Sequence, residues 1–383
     1  MSLDVPTKPI LPAAWQARTE ELQELVRSGN FDVSQMPGYK RGEPPDTDVW
    51  HKTDYLDIYP KIYGRESGAN GIGKLREVAL TEITPNERFE VYDQDPAYFP
   101  NMGLAYTDLN TDRMAEQSLQ YQAALEQHGV TVHRIRYPDP PVGAFGPQRG
   151  TWAANELLIV RGGSIVEKIA INPLGFGRAE YLAMWAFSNL GIPPIATIAG
   201  TGVAETGPCF WLAEDVFVLG HGLAYNESGE RQLIEAVAKS TRLTVDELHA
   251  LTIKFPGDQY FYPDTGISHH PDMVLGPLDH RKVIAYPPGL DYRTWQWLKE
   301  HDFTIVEVDT DEQREYAPVN VTIIEPGLVI MHEEAPKAMA AVRKAGVEVI
   351  PVPYSEFLRS GGGVHCSTLR ILRDPGPWLS DPV

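Results

Sequence analysis

Five times along this chain, a segment with apolar residues at three- and four-residue spacing runs into a short β-branched stretch. The copies are SLQYQAALEQHGVTVHRI (118–135), EYLAMWAFSNLGIPPIATI (180–198), ERQLIEAVAKSTRLTVDELHALTI (230–253), DYRTWQWLKEHDFTIVEV (291–308) and PKAMAAVRKAGVEVIPVP (336–353). The first period is that of an amphipathic helix and the second composition that of a strand. Strands precede the helices too, in KLREVALTEI, NELLIVRGGSIVEKIAI, CFWLAEDVFVLGHG, MVLGPLDHRKVIAYPP and VTIIEPGLVIMHE. Arg161-Gly162-Gly163, Ala213-Glu214-Asp215 and Pro326-Gly327 read as the turns of hairpins. A doubly wound sheet has no need of a hairpin in every unit. A ββαβ unit used five times at near-constant spacing therefore predicts an α/β ring of repeats. In such a ring strand ends and loops meet at the axis, so residues distant in sequence converge on one pocket.

Residues 1–60 stand outside the repeat. Pro6, Pro9, Pro12, Pro37, Pro44 and Pro45 punctuate them, and only Ala13 to Ser28 has a helical pattern. They are read as an N-terminal arm, wrapping over the domain or over a second copy in a homodimer, with 61–383 as a single catalytic domain. The 33 Gly and 32 Pro fall between apolar runs and so mark turns rather than disorder. The net charge of -19 would repel a phosphate backbone, which argues against nucleic acid as a partner and favours a small cation. Two cysteines, Cys209 and Cys366, cannot make a disulfide framework, so a reducing compartment is expected. The start MSLDVPTKPILPAAW lacks the basic and apolar regions of a signal peptide, and no apolar run approaches the length of a membrane span. A cytoplasmic protein with no membrane partner is expected.

The local segment richest in chemistry is Ser360-Gly361-Gly362-Gly363-Val364-His365-Cys366-Ser367-Thr368. Glycines let the backbone turn tightly and approach a ligand closely. Most free cysteines are buried small hydrophobes, but polar neighbours and a glycine run make a poor packed core, so Cys366 is read as a reactive thiol. Such a nucleophile needs a proton shuttle. Among eleven histidines, His270 stands out in His269-His270-Pro271-Asp272, where His-x-Asp can present an imidazole and a carboxylate on one side of a strand. His133, His221 and His280 lack partners at metal-ligand spacing, so no metal is expected, and no glycine-rich nucleotide loop is present. No cofactor is expected.

These elements together resemble the guanidino-group-modifying superfamily, the pentein fold: arginine and agmatine deiminases, dimethylarginine dimethylaminohydrolases and amidinotransferases. The resemblance spans about residues 70 to 370. The family's Gly-Gly-x-His-Cys-x-Thr matches Gly362 to Thr368, and its His-x-Asp before an apolar strand matches His270 to Leu275. Its Glu-x-Gly matches Glu205-Thr206-Gly207, its Gly-x-Gly with a downstream Asn matches Gly220-His221-Gly222 and Asn226, and its Arg-x-Glu matches Arg178-Ala179-Glu180. The resemblance implies a five-bladed α/β propeller. It also implies that Cys366 attacks the amidine carbon to give an amidino-thioether, while His270 protonates the leaving amine and later deprotonates water. Asp272 and Glu205 become anions that hold the guanidinium and orient His270, and Asn155, Arg178, Gly362 and Gly363 contact the substrate. Carboxylates in a dry pocket suit a planar cation with several N–H donors.

Two departures bear on the substrate. Where deiminases carry Asp at the end of Phe-x-Arg-Asp, this chain has Trp152-Ala153-Ala154-Asn155, as succinylarginine dihydrolases do. An amide tolerates a neutral ureido group. Where the family often has Glu-Gly-Gly-Asp, the chain has Glu205-Thr206-Gly207-Pro208. The expected activity is hydrolysis of a C–N bond in a guanidino or ureido compound. The alternatives are an amidinotransferase, a dihydrolase releasing two ammonias, and a non-catalytic pentein that only binds. The irregular segments 36–70, 137–151 and 255–268 are read as specificity loops, and Asn320 as either a pocket wall or a backbone clamp.

Overall fold

The computed structural model describes residues 52–83, 110–135, 157–168, 179–222, 224–255, 270–359 and 362–383, with parts of 20–48 and the pairs 142–143 and 146–147. Ahead of the repeats runs α1 (Tyr55–Tyr63). The first blade begins with β1 (Leu75–Thr81), α2 (Thr111–Gln127) and β2 (Thr131–Ile135). The second holds β3 (Leu157–Val160), β4 (Gly163–Val166), α3 (Ala179–Asn189) and β5 (Pro194–Thr197). The third holds β6 (Phe210–Ala213), β7 (Val216–His221), α4 (Glu227–Thr241) and β8 (His249–Lys254). The fourth holds β9 (Leu275–Asp279), β10 (Lys282–Ala285), α5 (Tyr292–Glu300) and β11 (Thr304–Glu307), followed by α6 (Thr310–Tyr316). The fifth holds β12 (Thr322–Glu325), β13 (Leu328–His332), α7 (Pro336–Lys344) and β14 (Glu348–Val352). The short α8 (Ser355–Arg359) then leads to β15 (Thr368–Arg373).

In blades two to five an antiparallel hairpin is followed by a helix and a third strand parallel to the second. A parallel third strand requires a crossover, which the amphipathic helix supplies while covering the sheet. The first blade has the same three-stranded pattern but takes its antiparallel partner from β15 at the far end of the repeat array. The ring is closed by that ladder. β15 touches β3, β6 touches β9, β9 touches β12, and β12 touches β1. Leu158, Val160 and Ile165 of the second blade share a core with Trp211 and Phe217 of the third. The result is a five-bladed α/β propeller whose first strands, β15, β3, β6, β9 and β12, line the axis.

Local sequence explains the element ends. α2 starts earlier than its apolar spacing predicts because the Asn110 side chain accepts from the Arg113 amide and caps it. Asn226 caps α4 by accepting from the Gly229 amide, and it also accepts from Val203, which ties α4 to the preceding loop. The segment 36–70, read from sequence as irregular, contains α1. Asp54 caps it and Tyr55, Tyr59 and Tyr63 pack edge to face along one side, which outweighs Pro60 within it. Ion pairs from Arg242 to Asp54 and Asp57 join α1 to the third blade. Most of the arm, and the segments 137–141, 148–151 and 256–268, lie outside the described residues. Among the described residues no helix is long and apolar enough to cross a membrane.

Candidate active site

Cys366 sits in a tight turn between Gly363 and β15. The Ser367 amide donates to Gly363 O and the Thr368 amide to His365 O. The Thr368 hydroxyl returns to Val364 O at 2.6 Å, and the Tyr121 hydroxyl, from α2, lies 2.7 Å from Thr368 Oγ1 and 2.9 Å from Thr322 Oγ1. The turn is thereby bolted to the first and fifth blades.

Asn320, between α6 and β12, organises this turn. Its Oδ1 accepts from the backbone amides of His365 at 2.9 Å and Cys366 at 3.3 Å. Its Nδ2 lies 3.0 Å from Asp272 Oδ2 and 3.1 Å from Cys366 Sγ. Of the two roles weighed from sequence for Asn320, pocket wall and backbone clamp, these bonds show the clamp. Gly363 makes this possible, since a Cβ there would stand 2.6 Å from Asn320 Oδ1. Gly362 is buried beside it, its amide donating to Phe357 O.

Asp272 Oδ2 receives a hydrogen bond from His365 Nδ1 at 2.8 Å and lies 3.3 Å from Cys366 Sγ. His270 turns to Glu205, with Nε2 2.6 Å from Glu205 Oε2. The sequence placed His270 and Asp272 on one side of a strand, but Pro271 nucleates a 3₁₀ turn over Pro271–Met273. At about 3 residues per turn, positions two apart point in different directions. Glu205 and Asp272 accordingly serve different partners, one orienting His270 and the other the Cys366 turn. Glu205 is fixed through its own amide, which donates to Ala224 O, and the following Thr206 amide donates to buried Glu167 at 2.8 Å.

The electrostatics are those of a resting thiol. Burial and then the Asp272 charge push the Cys366 thiol well above its ordinary value. Burial also acts to raise Asp272, but the bond and charge of His365, and the charge of His270, outweigh it and hold the carboxyl low. Burial acts to lower His270, yet the hydrogen bond and charge of Glu205 raise it overall. His365 goes the other way, down to about 4, through burial and the nearby Arg370 against the pull of Asp272. One oxygen of each carboxylate, Asp272 Oδ1 and Glu205 Oε1, is buried with no partner among the described residues. Both are acceptors available to N–H groups of a bound molecule.

The structure thus brings Cys366, Asp272, Gly363, His270 and Glu205 into one constellation. Asn155 and Arg178 lie outside the described residues. His365 was visible in the sequence only as a polar flank of the cysteine, and Glu167 only as a strand residue. Among the described residues no group of three or more His, Cys, Asp or Glu is arranged to hold a metal ion.

Comparison with known proteins sets this geometry in context. The family model for arginine deiminase matches residues 280–373. A 2-nitroimidazole nitrohydrolase from Mycobacterium sp. is 35% identical over 369 residues, covering 92% of this chain and 95% of its own. An inosamine-phosphate amidinotransferase from Streptomyces glaucescens is 21% identical over 82% of this chain and 93% of its own length. Among solved structures, DDAH from Pseudomonas aeruginosa complexed with citrulline superposes with a TM-score of 0.57 at 18% identity, covering 78% of this chain and 99% of that one.

Proposed function

We propose a reaction for this chain from one premise: it belongs to the guanidino-group-modifying (pentein) superfamily of hydrolases and transferases. The reading is a cysteine-dependent hydrolase that cleaves a C–N bond at a carbon bearing three nitrogens. The observation that carries it is the pairing of Cys366 with Asp272 at 3.3 Å, beside two buried carboxylate oxygens that no described protein group satisfies. A guanidinium, with N–H groups radiating in one plane around its central carbon, supplies the missing donors.

The steps follow from the charges. In the resting site burial and Asp272 keep the sulfur protonated. A cation on Asp272 and Glu205 offsets the anionic field, so the thiol loses its proton to solvent as the substrate binds. The thiolate adds to the central carbon and an S–C bond forms. His270, held as an imidazolium by Glu205, gives its proton to the departing nitrogen as the C–N bond breaks. The product of this half is a thioether on Cys366. Water then adds to the same carbon, His270 takes its proton, and the S–C bond breaks to release the thiolate, which regains a proton from solvent as the product leaves.

The same carbon environment occurs in a 2-nitroimidazole, the compound for which the 35% identical relative is named. Its carbon 2 sits between two ring nitrogens and carries the nitro nitrogen. Attack by Cys366 there expels nitrite in place of an amine. Nitrite departs as an anion and needs no proton from His270, and the uncharged ring supplies no cation to offset Asp272, so the two substrate classes ask different things of the same site. Asn155, assigned to substrate contact by position, suits such an uncharged group better than a carboxylate does.

The test is a panel of guanidino and ureido compounds and 2-nitroimidazole with the full chain. Ammonia, ureido product, amine and nitrite are measured together, with and without an acceptor amine. Cys366→Ala is expected to abolish turnover of whichever compound reacts, while melting as the wild type does. Turnover retained in that variant would refute the mechanism, and product appearing only with the acceptor amine would replace hydrolysis by transfer.

A further inference from the structure

A small cavity of about 20 Å³ lies on the propeller axis. It is lined by residues of all five axial strands and by His365, but not by Cys366, Asp272, His270 or Glu205. Two arginines of β15, Arg370 and Arg373, form part of its wall. Arg370 donates to the carbonyls of His365, Thr368 and Cys209, and Arg373 to those of Gly73 and Ile323. These bonds use only about half of the N–H donors of the two guanidiniums. Among the described residues neither arginine has a carboxylate within ion-pair distance. Glu214, whose charge reaches Arg373, is engaged with Arg161 and the Gly376 amide.

A second observation points the same way. Trp211 of β6 also lines the cavity, only 4% exposed, and its indole Nε1 is buried with no partner among the described residues. An indole N–H is a donor only. The axial space is therefore bordered by two guanidiniums and by an indole whose N–H has no partner among the described residues. Most of the remaining lining, including Ile72, Leu158, Ile323 and Leu369, is apolar, with Thr322, Cys209 and His365 as its other polar members. A buried charge without a counter-charge costs several kcal/mol. Asp272 lies close enough to act on Arg370 but is already bonded to His365 and Asn320. Two guanidinium charges against that single carboxylate leave one positive charge to balance.

We infer that the axial cavity, bounded by Arg370, Arg373 and Trp211, is a binding site for one small monovalent inorganic anion, separate from the Cys366 pocket. The anion completes the donors and neutralises the axis. Its presence does not depend on which compound Cys366 attacks.

Two measurements on the full chain test it. Crystals soaked in bromide should show an anomalous peak within hydrogen-bonding distance of Arg370, Arg373 and Trp211 Nε1. In solution, the melting temperature should rise and level off with added nitrate relative to gluconate at matched ionic strength, as for a saturable ligand. Trp211→Phe keeps the ring against Phe217 and removes only the donor, so it should raise the half-saturating nitrate concentration about tenfold. Arg373→Gln should abolish the saturable rise. If that variant fails to fold, Trp211→Phe decides the matter alone. Absence of bromide from the cavity, or the same nitrate response in wild type and Trp211→Phe, would overturn the assignment.

Discussion

Replacing Asn320 by Ala separates the two tasks of one amide. Its Oδ1 is the acceptor for the amides of His365 and Cys366, at 2.9 and 3.3 Å, and the site is buried. Removing a partner from a buried donor costs about 1–3 kcal/mol. With one good and one long bond, the expected loss is about 2–4 kcal/mol by the same scale. For a chain of this size that corresponds to a melting temperature lower by roughly 2–5 °C. The second task is the Nδ2 group 3.1 Å from Cys366 Sγ, which favours the thiolate. A hydrogen bond to a charged group contributes about 1.5–3 kcal/mol, so thiolate chemistry should slow by about 10- to 100-fold. The assay is iodoacetamide alkylation followed by mass spectrometry. It reads Cys366 because Cys366 is partly exposed whereas Cys209 is fully buried. Asn320→Asp restores an acceptor for both amides but sets an anion against Asp272 and the sulfur, so alkylation at neutral pH should stay slow. An Asn320→Ala protein that melts within a degree of wild type and alkylates at the same rate would refute this account of the turn.

Glu205→Gln removes the charge that raises His270, so the high-pH limb of turnover should move to lower pH. Linkage gives the same pair a second signature. A raised histidine contributes stability that is full below its unfolded value of about 6.5 and is lost as pH rises through the folded value. The stability gap between wild type and Glu205→Gln should therefore narrow on going from pH 5 to alkaline pH, and a constant gap in denaturant titrations would count against the pair. Gly363→Ala places a methyl 2.6 Å from Asn320 Oδ1, an oxygen held by two amides, and should destabilise by about 1–3 kcal/mol in urea melts and slow alkylation of Cys366.

The blades were legible because each helix and strand carries its own period. The helices begin close to the predicted positions wherever the apolar spacing itself marks the start, and α2 departs because a capping side chain, Asn110, sets it instead. The partner of β1 was not legible, since pairing with β15 is a long-range choice with no local mark at either strand. Within the site, Cys366 and His270 stood out by residue type and neighbours, and Glu205 only through the family resemblance. The division between Glu205 serving His270 and Asp272 serving the cysteine turn did not, because it depends on how Pro271 winds a 3₁₀ turn. Asn320 carries no charge and no motif of its own. Its importance arises from a glycine 43 positions later in the chain that lets it come close.

The ladder between β1 and β15 also sets an order of events. On the ribosome β1 emerges early and keeps an unpaired edge until β15 has been made, while blades two to five can form from contiguous chain. Cys366 lies immediately before β15, and its anchors, Tyr121 on α2 and Asn320 before β12, come from the two blades that this strand draws together. A nascent chain therefore carries no assembled Cys366 turn. The proposed nucleophile takes its place in the same step that shuts the circle, and any condition that loosens this joint should silence Cys366 while the rest of the molecule still stands.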